Sequence, residues 1–117
     1  MIHIFDTHAH YDDDCFDADR GQLLAGFPAQ GVHAVTNIGT NISASEETVR
    51  MTEQYENMYG VVGIFPSEVA ELENPDNVKR LKELAGHEKI VAIGEIGLDY
   101  HYEETDKALQ HKWFAGQ

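Results

Sequence analysis

Two histidines one residue apart, His8-Ala9-His10, close an apolar run that opens with Ile2-His3-Ile4-Phe5-Asp6-Thr7. The run reads as a strand, in which residues two apart point the same way. Both imidazoles are then expected to project together from its C-terminal end, on the face carrying Ile4 and Asp6. Two neutral imidazoles converging on one point supply half of a site for Zn²⁺ or a similar ion. Taken alone, the pair reads equally well as two partly exposed loop histidines. A second group shifts the balance. Val91, Ile93 and Glu95 share one face of a later apolar segment, with Ile90, Ala92 and Gly94 on the other. A carboxylate ending such a strand is costly to bury unless a positive group meets it. Glu95 alone also reads as an exposed strand-end acid, but functional groups gather at the C-terminal ends of parallel strands. His8, His10 and Glu95 are therefore the candidate metal ligands.

These residues need a scaffold that brings strand ends together. Strands are predicted over Ile2–Asp6, Val32–Ile38, Tyr59–Ile64 and Ile90–Ile96, and helices over Asp17–Ala29, Ala44–Glu56, Pro75–Ala85 and Thr105–Phe114. Asp17, Ser43, Asn74 and Thr105 are the expected helix caps, and Pro75 suits the first turn of its helix. Strands alternating with helices make a parallel sheet with right-handed crossovers. No low-complexity segment or linker divides residues 1–117, which read as one α/β domain.

The balance of 8 basic and 21 acidic residues gives a net charge of −13. That argues against a basic footprint on nucleic acid or anionic membrane. A nuclease whose metals supply the positive charge at the phosphate stays compatible with it. No apolar stretch approaches the ~18 residues of a membrane span. The N-terminus lacks the basic and apolar regions of a signal peptide, and Cys15, the single cysteine, suits a reducing compartment. A cytoplasmic protein without a membrane partner is expected.

Three blocks make the reading specific. Phe5-Asp6-Thr7-His8-Ala9-His10, Phe16-Asp17-Ala18-Asp19-Arg20 and Val91-Ala92-Ile93-Gly94-Glu95-Ile96-Gly97-Leu98-Asp99-Tyr100 resemble the TatD family of metal-dependent deoxyribonucleases. Asn37-Ile38-Gly39-Thr40 matches the family's second strand end, and Gln110 through Gln117 resembles its Q-x-x-x-F-x-x-Q helix. The resemblance implies a TIM (β/α)₈ barrel related to the amidohydrolases, of which these four βα units form half. It implies divalent metal ions (Zn, Mg or Mn, up to two in the intact site), with His8 and His10 as first-strand ligands and Glu95 as a carboxylate able to bridge two ions. The implied reaction is phosphodiester hydrolysis, with DNA as substrate. Asp99 and Tyr100 match the loop after the fourth strand, where they shape the substrate cleft or serve the loop's own hydrogen bonding.

The chain departs from the pattern in two ways. A barrel of this type takes ~250 residues. The family's remaining ligands, two histidines and an aspartate that accepts the proton of the attacking water, lie on later strands. These 117 residues alone are expected to show little or no nuclease activity, with a non-catalytic metal-binding or self-associating module as the alternative. An amidohydrolase acting on a small amide or ester is a weaker third reading. The second departure is Gly63-Ile64-Phe65-Pro66, where the family has Gly-x-His-Pro; Phe65 cannot hydrogen-bond a phosphate.

Half a barrel leaves two open edges and an uncovered inner face. Aggregation, pairing with a second copy or a complementing half-barrel, or an opened sheet is expected to follow. The first and fourth strands lie roughly 14 Å apart in a flat sheet spaced at ~4.8 Å, whereas metal–ligand bonds are ~2 Å. The ligand set therefore demands curvature. Elsewhere, the acidic run Asp12–Asp19 lacks the spacing of an EF-hand. His3, His33, His87 and His111 read as surface or packing residues, His101 keeps a site role open, and Cys15 has no neighbour to activate it.

Overall fold

The computed structural model describes residues 2–102 and 104–117. The order is β1 (Ile4–Ala9), α1 (Arg20–Gly26), β2 (Val32–Ile38), α2 (Ile42–Gln54), β3 (Met58–Val62), α3 (Pro75–Ala85), β4 (Ile90–Ile93) and α4 (Lys107–Gly116). Short 3-10 segments occupy Asp14–Phe16, Pro28–Gln30 and Pro66–Glu73. All strand pairs are parallel, in the order β1-β2-β3-β4. The α/β half-barrel expected from the sequence is the architecture observed.

The helices cover one face of the sheet. Leu24 of α1 and Met51 of α2 bury against Val35 and Met58, while Val49, Val62, Ile64, Val69, Leu72, Leu81 and Leu84 form a second cluster. The opposite face stays open: Phe5 and Tyr59 meet there with ring centroids 6.0 Å apart, both exposed, and Val91 is exposed as well. This is the uncovered inner face that half a barrel entails.

Side-chain caps start three of the four helices, at the expected residue only for α3, and the first helix has none. Asn74 caps α3 as predicted, its side chain accepting the Asp76 N–H at 3.0 Å. Asn41 rather than Ser43 caps α2, accepting from Ala44. Asp106 rather than Thr105 caps α4, accepting from Leu109, while the Thr105 hydroxyl donates to the Tyr102 carbonyl. The first helix starts at Arg20, not Asp17, whose carboxylate pairs instead with Arg20 at 2.8 Å.

Register slips on β1 and β4 correct the expected side-chain faces. On β1, Asp6 pairs with Val35 and Ala9 with Asn37, so three steps on β1 match two on β2. Asp6 thus goes with the helix-packed face of Val35, and simple alternation from Ile4 and Asp6 does not carry through to the histidines. On β4, Gly60 pairs with Ile90 but Val61 pairs with Ala92 and Val62 with Ile93. Ile93 therefore falls on the face of buried Val62, beside Leu72, Leu81 and Trp113. It does not share a face with Glu95 by alternation; the strand ends at Ile93, and Glu95 is delivered by the segment that follows.

Candidate metal centre

Glu95 is set by backbone contacts. Its N–H donates to the Gly39 carbonyl at 3.1 Å, and the Gly94 N–H donates to Val62 at 3.0 Å. The segment passes so close to the end of β3 that a Cβ on Gly63 would lie 2.9 Å from the Gly94 Cα and nearer still to its carbonyl. Gly63 itself is tied to α2, its N–H donating to Ser45 Oγ at 3.2 Å. Close backbone approach at this point permits only glycine.

The histidine pair is held from β2. His10 Nδ1 lies 3.0 Å from the Ile38 carbonyl. A carbonyl can only accept, so Nδ1 carries the proton and Nε2 is left with a free lone pair. His8 Nε2 lies 3.6 Å from Glu95 Oε1, and His10 Nε2 lies 3.9 Å from Glu95 Oε2. The curvature demanded by the ligand set is present: groups from the outer two strands meet at the same rim.

One ligand atom from each of the three residues lies within 4.8 Å of the others. Two donors on a tetrahedral ion with bonds of ~2.1 Å stand roughly 3.4 Å apart. The His8–Glu95 and His10–Glu95 pairs, at 3.6 and 3.9 Å, are near that spacing. The widest pair of the set, within 4.8 Å, would close by a side-chain movement of about 1.4 Å. Two imidazoles and a carboxylate are also the protein ligands of a common class of open, catalytic zinc sites. The residues present fit a divalent cation.

The loops around this group are clamped by side chains whose roles the sequence did not disclose. Arg20 reaches under the loop after β1, its Nε donating to the Tyr11 carbonyl at 2.5 Å and its Nη2 to Asp13 at 2.9 Å. Gln110, fully buried, exchanges two hydrogen bonds of 2.8 Å with the Asp99 backbone. Gln117 does the same for Ile64, at 2.7 and 3.1 Å. The two glutamines of the α4 motif thus act as peptide mimics that hold the loops following β4 and β3. A buried amide on a helix otherwise facing apolar neighbours was the available signal.

The other expected residues fall as follows. The Asp99 carboxylate accepts the His101 N–H at 2.9 Å, and the Tyr100 hydroxyl lies 2.7 Å from His111 Nε2. Asp99 is engaged within the loop and Tyr100 with His111 of α4, and Tyr100 remains exposed. His101 packs edge-on against Tyr102, His3 against His33, and His87 lies 3.5 Å from Glu53. In the acidic run, Asp13 caps the Cys15 N–H at 2.8 Å. The Cys15 N–H bond lowers the Asp13 pKa, and the hydrogen bond between the Asp13 carboxylate and the Cys15 thiol raises that of the thiol, so Cys15 is not an activated nucleophile. Phe65 donates its N–H to Thr40 at 2.7 Å, leaving only an apolar side chain at the position of the family histidine.

α4 docks through Glu73, which accepts from Lys112 Nζ at 2.5 Å and Trp113 Nε1 at 2.6 Å. The Lys112 hydrogen bond, then that of Trp113, holds the Glu73 carboxyl below its ordinary value of 4.5. A carboxyl depressed on folding stabilises the folded state above its unfolded pKa, and that contribution is lost as pH falls through the folded one. Fluorescence of Trp113, the only tryptophan, is therefore expected to change on acidification below about pH 4.5. In Glu73→Gln this transition should be absent; an unchanged transition in that variant would contradict the assignment.

Comparisons with known proteins fit this geometry. The family model described as TatD related DNase matches residues 5–117. The chain is 33% identical over 114 residues to an uncharacterized metal-dependent hydrolase, YabD, of Bacillus subtilis, covering 97% of this chain and 44% of that protein. It is 32% identical to a 3'-5' ssDNA/RNA exonuclease TatD of Cronobacter sakazakii, covering 97% and 43%. Among solved structures, a TatD family hydrolase from Entamoeba histolytica superposes with a TM-score of 0.88 at 22% identity, over 98% of this chain and 44% of that one. The TatD homologue YjjV of Escherichia coli gives 0.78 at 26% identity, over 95% and 43%. The chain thus spans about 44% of the length of the curated relatives it matches. A half-barrel with this histidine pair, this carboxylate and a family match running from Phe5 to the last residue belongs to the TatD-related DNase family.

Proposed function

We propose that this chain supplies the amino-terminal metal ligands, His8, His10 and Glu95, of a hydrolase that cleaves the phosphodiesters of DNA. The observation that carries the reading is the convergence of these ligand atoms within 4.8 Å at one rim. A divalent cation there, Zn²⁺, Mg²⁺ or Mn²⁺, supplies an acidified water and neutralises charge on phosphate oxygens. The chain's own residues do the placing. Ile38 holds the His10 ring, Gly39 holds the Glu95 backbone, and the two Glu95 oxygens face different histidines. His8, His10 and Glu95 would together hold one ion. Tyr100 borders the substrate path, and Asp99 shapes the loop that presents it.

Residues 1–117 act as one domain in this reading, and the proton acceptor implied by the family resemblance stands on a later strand. The 117-residue chain alone is expected to bind one transition-metal ion without turning over single-stranded DNA. Turnover that requires metal and disappears in His8→Ala would show that the catalytic set is complete without later strands. Exposed Cys15 is unpaired, which supports placement in the cytoplasm. Among the described residues no helix is long and apolar enough to cross a membrane.

The open face of Phe5, Tyr59 and Val91, together with Phe65 at the histidine position, favours a second reading: a non-catalytic module that binds metal or self-associates. Size-exclusion chromatography with elemental analysis tests the self-associating form of this second reading: a metal-free oligomer supports it, whereas metal retained in the wild type but lost in His8→Ala supports the metal centre.

A further inference from the structure

Asn37 is a fully buried amide near the C-terminal end of β2. Its side chain uses one acceptor and two donors. Oδ1 accepts the Tyr11 N–H at 2.6 Å, and Nδ2 donates to Asp12 Oδ1 at 3.0 Å and to Thr48 Oγ1 at 2.8 Å. The first two bonds grip the two residues that follow His10. The third ties the grip to fully buried Thr48 of α2. The next residue along, Ile38, provides the carbonyl that holds His10 Nδ1.

A side chain placed only to fill a buried space would not need this pattern, since burying an amide without partners is costly and an apolar residue would pack there unaided. We propose that Asn37 is a positioning residue for the metal centre: its amide fixes the Tyr11 backbone N–H and the Asp12 carboxylate, and so sets the distance and orientation at which His10 presents Nε2. This rests on the metal-centre reading and adds the device that aims one of its ligands. Leu or Val would leave the Tyr11 N–H without its acceptor. Asp would keep that acceptor but lose both donors and face the Asp12 carboxylate.

The test uses the 117-residue chain, with Zn²⁺ as the probe in competition with a chromophoric chelator. Asn37→Ala and Asn37→Asp are expected to bind Zn²⁺ 10- to 100-fold more weakly than wild type, in the range typical of losing a group that orients a metal-bound histidine. Val49→Ala, which opens the core away from this loop, serves as the destabilised control and is expected to keep wild-type affinity. A second readout needs no metal: nitrogen NMR of the His10 ring, expected to report protonated Nδ1 in wild type and a tautomer mixture in the Asn37 variants. Should those variants fail to fold, Thr48→Val removes one bond of the three and is expected to shift affinity in the same direction.

Wild-type affinity in folded Asn37 or Thr48 variants would overturn the proposal while leaving the metal centre standing. Equal weakening in Val49→Ala would overturn it too, by showing a general effect of stability. Absence of Zn²⁺ binding in wild type, or binding that survives His10→Ala, would overturn both this proposal and the metal-centre reading.

Discussion

Replacing His10 by Ala is expected to weaken Zn²⁺ binding by more than about 100-fold, since loss of a group that merely orients a ligand costs 10–100-fold. The histidine offers Nε2 toward Glu95 while its Nδ1 is anchored on Ile38. No other described residue stands in the same cluster to replace it. The remaining His8 and Glu95 are both partly exposed, and a two-ligand site on a mobile pair of side chains pays ordering entropy that the anchored ring avoids. Because His10 is exposed but its ring bonds the Ile38 carbonyl, the substitution should cost about 1 kcal/mol of stability, the net worth of one hydrogen bond. Calorimetric titration with Zn²⁺ alongside urea unfolding checks both halves. An affinity loss with an equal stability loss would point to a structural histidine.

Gly63→Ala is expected to produce the largest effect on fold and site together. A Cβ there meets the backbone of Gly94 rather than a flexible side chain, so the end of β3 and the segment leading to Glu95 must move apart. Overpacking of this kind costs about 1–3 kcal/mol, and backbone on both sides argues for the upper end. The Gly94 N–H bond to Val62 and the Glu95 N–H bond to Gly39 lie directly in the path of that movement. The carboxylate is then expected to withdraw from both histidines. Urea unfolding should show the stability loss, and Zn²⁺ titration of the folded variant a weakened site. A Gly63→Ala protein with wild-type stability and affinity would show that the close approach is not needed.

The features legible in the sequence were those that local chemistry decides. Val32–Ile38 and Pro75–Ala85 have the predicted bounds, the first an apolar run between turn residues, the second opened by Asn74-Pro75. The cap of α2 was not legible because Asn41 and Ser43 are both competent caps. Asn41 is selected by tertiary structure, its Nδ2 donating to Glu68 Oε2 at 2.9 Å. The three candidate ligands were legible as residue types at strand ends, but not the way Glu95 is brought to the histidines. Alternation along Val91, Ile93 and Glu95 fails because the register slips between Gly60 and Val61. A slip depends on the partner strand and leaves no mark in β4 itself. The clamps Arg20, Asn37, Gln110 and Gln117 were visible only as parts of motifs, since each acts on backbone far from it in sequence or on a loop without regular structure.

X-ray absorption at the zinc edge of the stoichiometrically loaded chain tests the shared cation most directly. The account predicts two imidazole nitrogens and carboxylate oxygen at about 2.0–2.2 Å, with the imidazole scattering reduced in His8→Ala. An all-oxygen shell, as carboxylates of the Asp12–Asp19 loop would give, or a spectrum unchanged by His8→Ala, would contradict it.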